Sequence, residues 1–282
     1  MNAQKHFLTV KDNSVSKENF ELLYDETLDM LITSPQPDEN NLPKYYESDD
    51  YISHTDGKRS LFEKAYHFVK DIALKNKLSL INDLNKSTGS LLDIGAGTGD
   101  FLLVAKNNGW NATGIEPSEK AKSIAKSKGV ELKTNLSDFQ NNSFDVITMW
   151  HVLEHVPNLE NQIKELKRLI KPNGSIIIAV PNFKSYDANH YKEFWAAYDV
   201  PRHLWHFSKT AIRKLFEKED LELVKILPMK FDSFYVSLLS EKYKTGKMNY
   251  IKAFSIGLKS NLKAKKNFEY SSHIYVLKIA KN

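Results

Sequence analysis

Cysteine is absent from the 282-residue chain. That excludes disulfides, thiolate zinc centres and a cysteine nucleophile, so any chemistry falls to other groups. Arginine is scarce and stands only at Arg59, Arg168, Arg202 and Arg213. The net charge of +5, from 40 Lys and Arg against 35 Asp and Glu, is therefore a scattered lysine excess. Without arginine clusters it does not imply a nucleic-acid partner. Long apolar runs are missing as well. The longest, Ile176-Ile177-Ile178-Ala179-Val180, has the length of a buried strand, and Met1 to Lys11 lacks the apolar centre of a signal peptide. The expectation is a soluble, cytoplasmic protein.

What is present is an α/β alternation, in a length that suits one large domain with additions. Residues 1–58 carry Pro35, Pro37 and Pro43 and an aromatic, acidic cluster from Tyr45 to Tyr51, which reads as an irregular N-terminal flap. Residues 59–282 read as the main domain. Apolar positions Leu61, Phe62, Ala65, Phe68, Val69, Ile72 and Ala73 recur at helical spacing from Ser60 to about Asn85. Strands are expected at 90–95, 111–115, 130–134, 144–150 and 174–180, and helices at 99–108, 118–128 and 158–171. A helix at 208–220 and strands at 221–227 and 273–280, the last two an antiparallel edge pair, complete the sheet. The fold class is a doubly wound, Rossmann-like sheet of seven strands, mostly parallel with an antiparallel last strand. Residues 229–270, apolar and rich in lysine, read as an inserted helical pair. It serves as a cap or dimer contact, with peripheral membrane contact as the alternative. The chain is then a monomer or homodimer.

The chemistry begins where the first of these strands ends, in Asp93-Ile94-Gly95-Ala96-Gly97-Thr98-Gly99-Asp100. Three alternate glycines allow a sharp bend, and the helix that follows offers unpaired N–H groups. A dinucleotide fingerprint needs a third glycine at position 100, where Asp100 stands instead. Seventeen residues beyond Gly99, Glu116 ends the second strand, where a carboxylate can accept hydrogen bonds from both ribose hydroxyls. The segment Phe144 to Pro157, the turn Lys171-Pro172-Asn173-Gly174 and the stretch Pro201-Arg202-His203-Leu204-Trp205-His206-Phe207-Ser208 follow in order.

Together these segments resemble the motifs of class I S-adenosylmethionine-dependent methyltransferases, in the branch that includes quinone-precursor O-methyltransferases. The resemblance implies S-adenosylmethionine as cofactor. Asp93, Gly95, Ala96, Gly97 and Gly99 would line its methionine part, Glu116 with Pro117 its ribose, and Leu136 with Ser137 its adenine. Met149, Trp150 and His151 would lie near the sulfonium, with core packing the alternative for Met149 and strand-end filling for Leu136. His151 is the candidate general base, since an unperturbed histidine is partly neutral at cell pH. Glu154 and His155 join it in catalysis or cap the next helix. His203 and His206 orient the acceptor or pack the cap.

Three metal signals are weak. His151-Val152-Leu153-Glu154-His155 fits H-x-x-E-H, a zinc-peptidase pattern that needs one helix, whereas His151 ends a strand. In the quinone-branch relatives a Glu replaces His151 and holds a divalent metal with the positions of Glu154 and His155; that departure leaves no metal expected here. Some relatives carry an N-terminal zinc ribbon, and Tyr24 to Met30 is faintly similar, with Asp25 and Leu28 where cysteines would stand.

The expected activity is methyl transfer to a small molecule, most simply to a hydroxyl. Tyr186, Tyr191, Phe194, Trp195, Tyr198, Trp205 and Phe207 suit an aromatic or apolar acceptor, or form the cap's own core. The alternatives are a tRNA, rRNA or protein methyltransferase and a non-catalytic S-adenosylmethionine-binding protein. Met149-Trp150-His151-Val152 stands where base N-methyltransferases carry N/D-P-P-aromatic.

Overall fold

Alternation along the central strands decides the layers. In the computed structural model, which describes residues 4–38, 40–46 and 61–281 (side chains of 61–67 excepted), six strands form the main sheet. Their order is β5 (Asn111–Ile115), β4 (Ser90–Ile94), β6 (Phe144–Trp150), β7 (Ile170–Pro181), β10 (Ser272–Ile279) and β9 (Leu221–Pro228). Leu92, Ile147, Ile176 and Ile178 face one side, where α4 (Leu159–Leu169) and α6 (Lys209–Glu217) cover them with Ile163, Leu166, Ile212 and Phe216. Their neighbours Leu91, Val146 and Ile177 face the other side. There α1 (Leu61–Asn85), α2 (Asp100–Asn107) and α3 (Glu119–Ser127) supply Ile81, Phe101, Leu102 and Ala125. A sheet covered on both faces needs near-continuous apolar strands, and these are.

Two strand expectations change. Residues 130–134 give a single bridge, Lys133 to Ile115, with Glu116 N–H donating to the Lys133 carbonyl at 3.1 Å. Of that segment only Val130 is fully buried, so too little apolar surface anchors a seventh strand. The closing strands do form the expected antiparallel pair at one edge, with β9 outermost and β10 also antiparallel to β7. Helix α4, however, passes straight into β7 at Ile170, so Pro172-Asn173-Gly174 lies in extended chain and not in a helix-ending turn.

The N-terminal region is regular where an irregular flap was expected. Strands β1 (Lys5–Lys11), β2 (Asn19–Asp25) and β3 (Met30–Ser34) form an antiparallel sheet completed by β8 (Trp205–His206). Phe20 and Leu22 are buried between exposed Asn19 and Glu21, a period of two. Carboxylates hold the hairpin turns: Asp12 accepts from the N–H groups of Ser14, Val15 and Ser16, and Asp25 from those of Thr27 and Leu28. The acidic cluster from Glu47 to Tyr51 and the helix start at Ser60 lie outside the described residues.

Residues 229–270 do contain the expected helical pair, α7 (Asp232–Thr245) and α8 (Tyr250–Asn267), with the short α5 (Tyr186–Tyr191) packed against it. Among the described residues no helix is long and apolar enough to cross a membrane.

From β4 the chain moves to β5 on one side and returns to β6 on the other. The carboxyl ends of β4 and β6 therefore flank the reversal of winding, where open α/β sheets place their ligands.

Candidate active site

The loop after β4 is shaped by what a side chain would strike. Gly95 has φ +71°, and a Cβ there would come within 2.3 Å of Val152 Cγ2. That contact locks the loop against the turn after β6. Gly97, at φ +53°, has nothing within 4 Å of the space a Cβ would take. The opening above it is a cradle of bare backbone. Glu116, at the end of β5, is nearly buried at this opening. Its two oxygens accept from the N–H groups of Gly97 at 2.8 Å and Ser118 at 2.9 Å. Each oxygen keeps a lone pair for a further donor. Asp100, in the first turn of α2, is clasped by Lys70 and Lys128 at 2.6 Å each. Its charge is answered within the protein.

Asp93 lies in the wall of the cleft, opposite Thr148 in the parallel register of β4 and β6. The Thr148 hydroxyl donates to it at 2.6 Å. Burial pushes the Asp93 carboxyl up to about 6, although Thr148 and the charge of Lys77 pull the other way. Lys77 comes from α1 and sits 4.4 Å above the Trp150 ring. Its own pKa is lowered by burial, against the charges of Asp93 and Asp232. The indole N–H of Trp150 is buried without a partner. One acid, one ammonium and one open donor thus meet at the end of β6.

His151, the next residue, takes a left-handed φ of +56°. That conformation is strained for a histidine and is held by two carboxylates. Nδ1 lies 3.3 Å from Glu154 Oε1, and Nε2 lies 3.0 Å from Asp232 Oδ2 in the first turn of α7. Burial lowers the His151 pKa, but the hydrogen bonds and charges of Asp232 and Glu154 outweigh it and lift the value to about 10. Held between both acids the ring is an imidazolium, which cannot accept a proton. The base role read from the sequence therefore requires Asp232 to withdraw.

Glu154 is completely buried, with its second oxygen unpartnered. His155 Nδ1 lies 3.0 Å from the Arg202 carbonyl, and His203 Nδ1 lies 2.9 Å from that of Ala197. Glu154, His155 and His203 each bring a ligand atom within 4.8 Å of the others. Because Glu154 keeps an unpartnered oxygen, these three residues could hold a divalent ion, although no metal was expected from the sequence.

His206 is not in the cleft. It is buried on β8, with Nε2 3.0 Å from Thr33 Oγ1, and burial lowers its pKa to about 3. Burial likewise keeps His203 neutral, well below the ordinary histidine value. His206 packs the seam between the N-terminal sheet and the core, the second of its two readings, whereas the His203 ring lies 4.5 Å from that of His155.

Met149 is sealed in the core and does not line the cleft. Leu136 is half-buried and Ser137 exposed in a short turn, Leu136–Asp138, whose carbonyl at 136 accepts from Arg168 at 3.1 Å. Pro117 is exposed beside Glu116. Tyr191, Trp195, Tyr198 and Phe207 are all at most 2% exposed, so they form core and not an acceptor wall.

Sequence reasoning missed Thr148, Lys77 and Asp232. Thr148 was available as the strand neighbour of Asp93, whereas Lys77 and Asp232 reach the cleft from distant segments and left no local signal.

Residues 63–226, more than half of the chain, match the family described as Methyltransferase domain. The ubiquinone biosynthesis O-methyltransferase of Rickettsia felis is 27% identical over 207 residues, 67% of this chain and 84% of that protein. The enzyme of the same name from Actinobacillus pleuropneumoniae serotype 7 is 34% identical over 131 residues, 40% of this chain and 56% of that one. The chain thus spans little more than half of that second relative. Among solved structures, geranyl diphosphate C-methyltransferase from Streptomyces coelicolor A3(2) shares the fold at a TM-score of 0.55 and 14% identity, covering 86% of this chain and 98% of that one. The glycine cradle with its carboxylate, the switch-point cleft and these matches agree: this chain belongs to the methyltransferase domain family.

Proposed function

We propose that the protein methylates a hydroxyl of a small molecule, with S-adenosylmethionine as the methyl donor. The observation that carries this reading is Glu116, whose carboxylate two backbone N–H groups hold at the opening over Gly97. An acid so placed suits a ribose diol and repels a pyrophosphate. Asp93 and Lys77 add opposite charges suited to the ammonium and carboxylate of an amino acid. The unpartnered Trp150 indole is a further donor. When bound there, S-adenosylmethionine supplies an electrophilic methyl group on a sulfonium.

The chain's own residues then have one proton to move. Asp232 Oδ2, 3.0 Å from His151 Nε2, occupies the position an acceptor oxygen would take. When Asp232 gives way to the acceptor, Nε2 loses its stronger anionic partner and the ring can release its proton. Glu154 remains on Nδ1, fixing the tautomer so that Nε2 accepts the proton of the hydroxyl, as an orienting acid does in other catalytic pairs. A general base of this kind contributes roughly 10²–10⁴-fold, with positioning supplying more. Methylation of nucleic acid or protein is less well supported: the two curated relatives described above carry an O-methyltransferase name, and the N/D-P-P-aromatic element of base N-methylation is absent after β6.

Incubation with methyl-labelled S-adenosylmethionine and a small-molecule cell extract, followed by mass spectrometry, tests the reading. A labelled product carrying a methyl ether supports it. Label found only in macromolecules, or in no product, refutes it.

A further inference from the structure

Helix α8 is amphipathic in reverse. It packs on its neighbours through the small residues Ala253, Gly257, Ser260 and Ala264, all buried. The approach to α7 is close: a Cβ at Gly257 would lie 2.8 Å from Phe234 Cδ1 and 3.0 Å from the Ser233 carbonyl. Ile256 also turns inward, but four other large apolar residues point outward, with Ile251 86% exposed, Phe254 60%, Leu258 42% and Leu262 51%. A helix folded only for a globular core would turn this stripe inward. Four such side chains along one face form a continuous patch of the sort that marks an interaction surface.

The charges beside the stripe select its partner. Helix α8 carries Lys252, Lys259, Lys263, Lys265 and Lys266 and no acidic residue; Lys252 is paired with Glu241 of α7 at 3.2 Å, which leaves the other four to a partner. A second copy docking through the same face in two-fold symmetry would set these lysines against themselves, with no acid on the helix to answer them. An anionic bilayer answers them, because its headgroups neutralise the lysines while its acyl boundary receives the apolar stripe. We propose that α8 lies in the surface of an anionic lipid membrane and docks the protein there. The same hairpin carries Asp232, at the start of α7, to His151, so the docked surface adjoins the mouth of the cleft.

Vesicle sedimentation tests this without reference to methyl transfer. The purified full-length chain is mixed with vesicles of phosphatidylcholine alone and with vesicles of phosphatidylcholine and phosphatidylglycerol, at low and high salt. The expected result is binding to the anionic vesicles only, weakened by salt. Binding should fall at least about tenfold in Phe254→Ser/Leu258→Ser and in Lys263→Glu/Lys266→Glu. All four side chains are exposed, and unchanged melting temperatures in the two variants confirm intact folds. Equal binding to both vesicle types, no binding, or undiminished binding by both variants would overturn the proposal. So would light scattering that shows a dimer broken by Phe254→Ser/Leu258→Ser, since a second copy would then be the occupant.

Discussion

His151 Nε2 lies 3.0 Å from Asp232 Oδ2, so a residue of the helical insertion closes onto the last residue before the turn that follows β6. The contact joins the cleft to a segment that the sequence marks only as lysine-rich. It also sets the charge of the group proposed to accept the substrate's proton. If His151 is that group, His151→Ala should lower kcat by about 10²–10³-fold at saturating substrate. Cofactor affinity should change far less. A loss of no more than about two-fold would remove the base role.

Asp232→Asn separates the latch from the base. Wild-type His151 has a pKa raised to about 10, so its charged form adds stability that is fully present below the ordinary histidine value of 6.5 and is lost as pH rises toward 10. With Asn at 232 one anionic partner is gone and the pKa falls. The rise of kcat/KM with pH, which reports the free enzyme, should therefore begin at lower pH in the variant, and its melting temperature should depend less on pH between 6.5 and about 10. Superimposable kcat/KM profiles for variant and wild type would show that Asp232 does not govern the ring.

Asp93 makes cofactor affinity depend on pH at the acid end. Its carboxyl is pushed up to about 6 by burial, so the fold favours the protonated form and this group's contribution to stability falls as pH rises from 3.8 through about 6. A cationic ligand favours the carboxylate instead. S-adenosylmethionine should bind more weakly as pH drops below about 6 and should release a proton on binding near that pH. Calorimetry in buffers of different ionisation enthalpy measures the release directly. Affinity that stays constant from pH 5 to 7 would contradict the placement.

The two loop glycines should fail differently. Gly95→Ala places a Cβ 2.3 Å from Val152 at φ +71°, combining overlap with backbone strain. A loss of about 2–4 kcal/mol is expected, visible as a lowered melting temperature. Gly97→Ala meets no atom but keeps the strain of φ +53°, for about 1–2 kcal/mol, and its methyl enters the open cradle. It should weaken cofactor binding more than it lowers stability. Equal effects of the two on both readouts would refute the cradle.

The sheet was legible because its information is local. Apolar runs such as Ile176 to Val180 and caps such as Ser118 and Ser208, whose hydroxyls accept from Ala121 and Ala211, state their own structure. The glycine loop and Glu116 were legible for the same reason, since spacing alone brings them together. Met149 and His206 kept two readings in the sequence because a residue beside a motif can face the core as readily as the cleft, and both are buried. The N-terminal strands were overshadowed by Pro35, Pro37 and Pro43, which all lie beyond them, although Asn19-Phe20-Glu21-Leu22 alternates. Asp232 and Lys77 could not be read, because only tertiary packing carries an insertion and a preceding helix to the end of β6.

The central claim is that the bare backbone at Gly97 and the carboxylate of Glu116 receive an adenosyl group. Isothermal calorimetry on the folded protein tests it most directly, with S-adenosylhomocysteine and a nicotinamide dinucleotide as ligands and Glu116→Ala as the control. The account predicts saturable binding of the first ligand, loss of most of that affinity in the variant, and no binding of the second. Binding of the dinucleotide with no heat from S-adenosylhomocysteine would contradict it.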